Sequence, residues 1–294
     1  LLTAARILDA SLVRQVRVTI IERCGEVGVG VAYSTDDPDH RLNVRAGGMS
    51  ADPSDPGELV RWLEERNLGD ANSFIPRRLY RRYLADHLER ARCRAAAGEL
   101  DVIGDAVVAI DPSGSTLRVT TRRGSELHAD HVVIATGNAP PATPAPLRGL
   151  CGDPRWIADP WAPGALYRAR DAGSVLLVGT GLTMVDVAVT LGREDDLDLV
   201  ALSRHGLLPR EHLPARPQHD LDVISLDRDA GDLVGLVGRL RAAARNAAPG
   251  DDWRDVVDST RPFVNALWQR ATVDEQARFL STLTRYWDVH RHRM

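Results

Sequence analysis

The chain has 294 residues, enough for two globular domains with separate cores. Hydrophobic residues make up 44% and charged residues 27%, and the formal net charge of −4 argues against a nucleic-acid or anionic-membrane partner. No run of about 18 apolar residues occurs, so no membrane-spanning helix is expected, and three scattered cysteines (Cys24, Cys93, Cys151) argue against a disulfide framework or a C-x-x-C redox or zinc site.

In chain order, residues 1–10 read as a small-residue helix, and residues 16–22 as a strand that alternates early and then turns apolar, ending in Glu22 and Arg23. Residues 25–57, rich in Gly, Asp and Pro, read as ordered loop. Helices are expected over 56–68 and 76–97, the second with Leu79, Tyr80, Tyr83, Leu84 and Leu88 on its apolar face and with Arg77, Arg78, Arg81 and Arg82 as a solvated face. Residues 100–135 read as several strands. Among these, Asp111-Pro112-Ser113-Gly114 is expected as a hairpin turn, and Val132-Val133-Ile134-Ala135 as a buried strand closed by Thr136-Gly137. Residues 138–149 carry four prolines and are expected to be a stiff linker without regular structure. A second unit follows: strand 175–178, helix 183–191, strand 197–202, then helices over 232–248 and 251–288. The chain opens at Leu1 without a signal-peptide pattern and closes at Met294 in a charged segment; both ends read as cut, and the expected compartment is the cytoplasm.

Gly179-Thr180-Gly181 carries the most chemistry. It follows an apolar strand and opens a helix, the placement of a dinucleotide-phosphate loop. The first glycine permits the tight turn, and the second lets the backbone approach a pyrophosphate. The helix start, Leu182 and Thr183, offers unpaired N–H groups and a positive dipole end. The third fingerprint position is Met184 rather than Gly or Ala, a departure from close helix–strand packing. The second strand runs into Ser203-Arg204, where NAD-binding units carry an acid for the ribose hydroxyls. A hydroxyl and a guanidinium instead favour a 2′-phosphate, so NADP is expected and NAD less so. His290-x-His292 does not suggest a metal, because residues two apart on a helix do not share a face and arginines flank them.

The order of these pieces resembles the two-dinucleotide-binding flavoproteins, a class that includes class B flavin monooxygenases, N-hydroxylating monooxygenases and pyridine-nucleotide disulfide reductases. More closely, five segments are similar to the bacterial FAD/NAD(P)-binding protein family: Gly30-Val31-Ala32-Tyr33-Ser34, Leu42-Asn43-Val44-Arg45-Ala46, Asp159-Pro160-Trp161, Ser203 through Arg210, and Trp287 through Arg293. The resemblance implies an α/β fold with two Rossmann-type dinucleotide-binding units, for FAD and NADP, and a helical insertion. Residues 1–149 would be the FAD-binding domain, lacking its first strand and glycine loop. Residues 150–294 would be the NAD(P)-binding domain, with the insertion at about 210–294. It implies that Glu22 and Arg23 hold the adenosine side of FAD, that Asn43 lies near the flavin or pyrophosphate, and that Ala135, Thr136 and Gly137 pass close to FAD. Gly179, Thr180, Gly181, Leu182 and Thr183 would cradle the NADP pyrophosphate. Asp186 would stand near the nicotinamide, although an acid in the first turns of a helix also meets its dipole. The activity expected is a monooxygenase-like NAD(P)H-using flavin oxidoreductase acting on a small molecule, with O2 or another acceptor. The alternative is a non-catalytic nucleotide-binding or redox-sensing module that acts through a protein partner.

Overall fold

The structure, a computed structural model, describes residues 1–11, 15–95, 98–213, 223–229, 231–247 and 252–294. The far ends of the helices expected at 76–97 and 232–248, and residue 251, lie outside the described residues. Contacts divide the chain into two compact units, Leu1–Asp171 and Ala172–Met294.

In the first unit, helix α1 (Leu2–Ala10) precedes strand β1 (Val16–Ile21), as the periodicity predicts. A short helix α2 (Gly30–Tyr33) interrupts the loop, and helices α3 (Glu58–Glu64) and α4 (Arg77–Arg94) follow. Strand β2 (Gly98–Ile103) then pairs in parallel with β1, from Val16 opposite Gly98 to Ile21 opposite Ile103. A parallel pair needs a long crossover, and residues 22–97 supply it. Ala4, Ala5 and Leu8 of α1 pack on Leu88 and Ala91 of α4, small side chains that let the two helices approach closely. The larger core gathers Leu42, Leu59, Trp62, Leu63, Ile75, Tyr80, Tyr83 and Leu84.

The 25–57 segment is ordered, as expected, because its backbone is paired. Leu42, Ala46 and Gly47 donate to the carbonyls of Ile75, Ser73 and Ala71 at 2.9–3.0 Å. The Tyr83 hydroxyl accepts from the Ala51 N–H at 2.8 Å and donates to Glu58 at 2.6 Å, which fastens the end of the loop to α4.

Strands β3 (Val107–Ser113), β4 (Thr116–Thr121) and β5 (Glu126–Ala129) form an antiparallel sheet in that order. The hairpin turn falls later than predicted. Asp111 and Pro112 are paired with Arg118 and Leu117, and Gly114 turns the chain at φ +62°. Pro112 is tolerated because β3 is an edge strand. The expected buried strand Val132–Ala135 is not formed. Residues 131–144 have no regular structure, and Val133 and Ile134 are 61% and 75% exposed. An apolar run becomes a strand only where a ladder partner exists, and among the described residues none is offered. The proline-rich stretch also departs from expectation at its end, where Ala145–Leu150 forms a 3-10 helix. Pro146 is accommodated in its first turn, where the missing N–H has no partner to lose. The chain then returns to the core of this unit. Trp161 packs edge-on against His40, and the Arg77 guanidinium lies over its ring, before helix α5 (Tyr167–Arg170).

In the second unit, β6 (Ser174–Val178), helix α6 (Leu182–Leu191) and β7 (Asp198–Leu202) form the expected strand–helix–strand unit, with β6 and β7 parallel and in register from Ser174–Asp198 to Val178–Leu202. Side chains alternate along this pair: Val175, Leu177 and Leu199 are partly covered, whereas Leu176, Val178, Val200 and Leu202 stand exposed. Helices α7 (Leu226–Asp229), α8 (Leu233–Arg245), α9 (Trp253–Asp258), α10 (Val264–Arg270), α11 (Val273–Thr282) and α12 (Thr284–Arg291) follow. Leu233, Leu236, Leu240, Val256 and Leu267 form their shared core, with Trp268, Phe279 and Trp287 packed against it. Side-chain caps define the starts of α8, α9 and α11: Asp232 accepts from Gly235, and reciprocal capping boxes form at Asp252/Asp255 and Thr272/Glu275.

Candidate functional site

The turn between β6 and α6 is built by its glycines. Gly179 lies at φ +109°, a conformation that L side chains rarely adopt, and its N–H donates to the Leu202 carbonyl at 2.7 Å. The turn is thereby tied to the end of the neighbouring strand. Gly181 is the N-cap of α6 in extended backbone, and no side chain caps the helix. A Cβ at either glycine would meet nothing within 4 Å. The helix start therefore presents backbone donors to open space, next to Leu182 and the exposed Thr183. The Thr180 hydroxyl donates to the Leu207 carbonyl at 2.6 Å and binds this turn to the loop that leaves β7.

That loop begins at Ser203, whose Oγ accepts from the Gly206 N–H at 3.1 Å, while Gly206 turns at φ +60°. The Ser203 proton remains available to donate. Arg204 is exposed and has no ion pair among the described residues. Asp186 is not at the rim: one turn further into α6, it is 1% exposed. The sequence gives no sign of a further basic group here, yet Arg285 of α12 comes within 3.4 Å of His205 across 80 residues of chain. The two histidines of α12 and its exit diverge. His290 bonds the Tyr286 carbonyl and meets the Trp253 ring edge, whereas His292 sits beside Asp288.

In the first unit, Glu22 continues the β1–β2 ladder by donating its N–H to Ile103 at 3.0 Å. Its carboxylate accepts from the Cys24 N–H at 3.3 Å, and Arg23 is exposed beside it. The carboxylate thus stands at the carboxyl end of a parallel strand, where open α/β sheets bind ligands. The turn after it passes close to the backbone that leaves β2, at Gly25 and Gly104. Asn43 is half-buried on the segment paired with residues 71–75. Ala135, Thr136 and Gly137 are exposed in the irregular stretch, with open space around Gly137, and belong to no strand beside β1.

Residues 1–139 match the protein family described as FAD-NAD(P)-binding. The matched segment contains β1, Glu22, Asn43 and the Ala135–Gly137 stretch. No curated protein sequence matches the chain. Among solved structures, the chain is similar to a steroid monooxygenase bound to NADP at 18% identity and TM-score 0.43, covering 83% of this chain and 41% of that one. It is also similar to a flavin-containing monooxygenase from Stenotrophomonas maltophilia at 18% identity and TM-score 0.39, covering 82% and 63%. A third is an ornithine hydroxylase from Pseudomonas aeruginosa, at 16% identity and TM-score 0.43, covering 92% and 69%. The chain thus spans less than two thirds of the first two. No described helix is long and apolar enough to cross a membrane.

The donor chemistry of the second unit fits a dinucleotide. Backbone donors at the start of α6, the open positions at Gly179 and Gly181, and the exposed Arg204, which has no ion pair among the described residues, are groups of the kind that bind phosphate.

Proposed function

We propose that this protein is a FAD-dependent, NAD(P)H-using oxidoreductase of the monooxygenase-like kind, with FAD held by residues 1–149 and NADP by residues 150–294. The observation that carries the reading is the open glycine turn at Gly179–Gly181 between two parallel strands and the start of α6. Gly179, Thr180, Gly181, Leu182 and Thr183 hold the pyrophosphate by backbone donors. Ser203 and Arg204 distinguish NADP from NAD, because a hydroxyl and a guanidinium attract a phosphate that an acid would repel. In the first unit, Glu22 accepts from the ribose hydroxyls of FAD, Arg23 flanks them, and Asn43 with Ala135–Gly137 lies along the rest of the cofactor. Hydride acceptance from reduced nicotinamide, and delivery of electrons to O2 or another acceptor, is chemistry that the flavin supplies when bound. The side chains bind and orient the two cofactors and exclude water. The substrate is a small molecule.

The test uses the full chain reconstituted with FAD. On adding NADPH without oxygen, the flavin absorbance at roughly 450 nm should bleach, and it should return on admitting air. Arg204→Glu should raise the KM for NADPH far more than that for NADH. A chain that holds FAD but is never reduced by NADPH overturns the enzyme reading in favour of a non-catalytic nucleotide-binding module, and equal changes in the two KM values remove the role of Arg204.

A further inference from the structure

The helices that follow β7 are joined to the loop at its end. The Arg210 N–H donates to the Val289 carbonyl at 2.9 Å, the Met294 N–H to Arg210 at 2.9 Å, and the His212 N–H to Met294 at 2.8 Å. The Arg254 side chain adds a bond to the Glu211 carbonyl at 3.0 Å. These bonds set α12 against the loop 203–212, which the Thr180–Leu207 bond in turn sets against the glycine turn. The result brings a basic side chain from a distant part of the sequence to the loop that leaves β7. Arg285 Nη1 lies 3.4 Å from His205 Nε2, the Arg285 guanidinium rests over the Tyr286 ring, and Arg204 stands next in the chain. No carboxylate pairs with Arg285, His205 or Arg204 among the described residues. The Arg285 Nε is buried and has no hydrogen-bond partner among the described residues. A guanidinium N–H beside an imidazole nitrogen is a donor–acceptor contact, and a buried guanidinium donor without an acceptor is costly. A dianionic phosphate monoester supplies the missing acceptor, since its three terminal oxygens accept from a guanidinium fork and from a neighbouring imidazole N–H.

We propose that Arg285, from the helical segment, binds the 2′-phosphate of NADP together with His205 and Arg204. The inference rests on the reading of Gly179–Arg204 as the nucleotide site and adds a residue to it. In a strand–glycine–helix–strand unit the adenine ribose lies at the end of the second strand, which here is Ser203. The helices 226–291 then act as part of the nucleotide wall.

The experiment is calorimetric titration of the full chain with 2′,5′-ADP and, separately, 5′-AMP, which lacks the 2′-phosphate. The unmodified chain should bind 2′,5′-ADP more tightly than 5′-AMP. Arg285→Gln should weaken 2′,5′-ADP about tenfold to a hundredfold, the effect of losing one charge-assisted bond to phosphate, and should leave AMP within about twofold. Arg285→Lys should recover part of the loss, and His205→Gln should reproduce a smaller one; these two variants carry the test if Arg285→Gln does not fold. Undiminished 2′,5′-ADP binding by Arg285→Gln overturns the role of Arg285 and leaves the nucleotide site standing. An equal loss for both nucleotides also overturns it, because Arg285 would then act by positioning the loop. A chain that binds neither nucleotide overturns the nucleotide reading itself, and this inference with it.

Discussion

At Gly179 the backbone and the proposed function make different demands on one residue. A Cβ there would have room, so the obstacle to substitution is φ +109° and not crowding. Gly179→Ala is expected to cost about 1–3 kcal/mol of stability, the penalty for a side chain held in a sparsely populated region, read from urea unfolding. Gly181 has φ −83° and ψ −171°, which any residue adopts. Gly181→Ala should therefore cost less stability than Gly179→Ala and act mainly on nucleotide affinity, since the added methyl projects into the open space before α6. An equal stability cost for both would contradict this division. The places of Gly179, Gly181, Ser203 and Arg204 in the fold were legible in the sequence because each adjoins a strand or helix end. Arg285 was not, because nothing adjacent to it distinguishes it from the other arginines of the chain.

Helices α7 and α8 are held together by one carboxylate. Asp229 has no exposed surface, accepts from the Ser225 N–H and from Arg228, and meets Arg239 of α8 at 2.7 Å. The Arg228 hydrogen bonds, with the Ser225 amide and the Arg239 charge, hold its carboxyl down at about 2, against the opposing effect of desolvation. A depressed folded-state value means that the ionised form stabilises the fold above the unfolded value of 3.8, and that this contribution is lost as pH falls from about 4 towards 2. Asp229→Asn should lower the melting temperature at neutral pH and flatten the loss of stability across that window, as thermal unfolding at stepped pH would reveal. An unchanged acid limb would assign the loss to other carboxylates. At this scale periodicity served well for α1, α4, α6 and β1. It failed for Val132–Ala135, whose apolar character is that of a strand but which finds no ladder among the described residues. It also blurred residues 251–288 into one helical stretch, although Asp252-x-x-Asp255 and Thr272-x-x-Glu275 mark two separate starts.

Among the described residues, the buried apolar side chains lie mostly on helices and the loops between them and seldom on strands. Leu59 is fully buried in the first unit, whereas Leu176, on an equally apolar strand in the second, is 57% exposed. Leu59→Ala should cost about 2–5 kcal/mol, and Leu176→Ala should stay within about 0.5 kcal/mol, by chemical denaturation. A comparable cost at Leu176 would mean that the open face of β6 and β7 is covered in solution. The sequence by itself determined most of the helices, the parallel strands of the second unit and the glycine turn, because backbone preference, capping and side-chain period act over a few neighbouring residues. Only the tertiary structure decided which elements found partners. It left Ala135–Gly137 outside any sheet, sank Asp186 into α6, and brought Arg285 to His205. Those outcomes depend on closing loops of tens of residues against competing surfaces, and no local pattern records which closure is the most favourable.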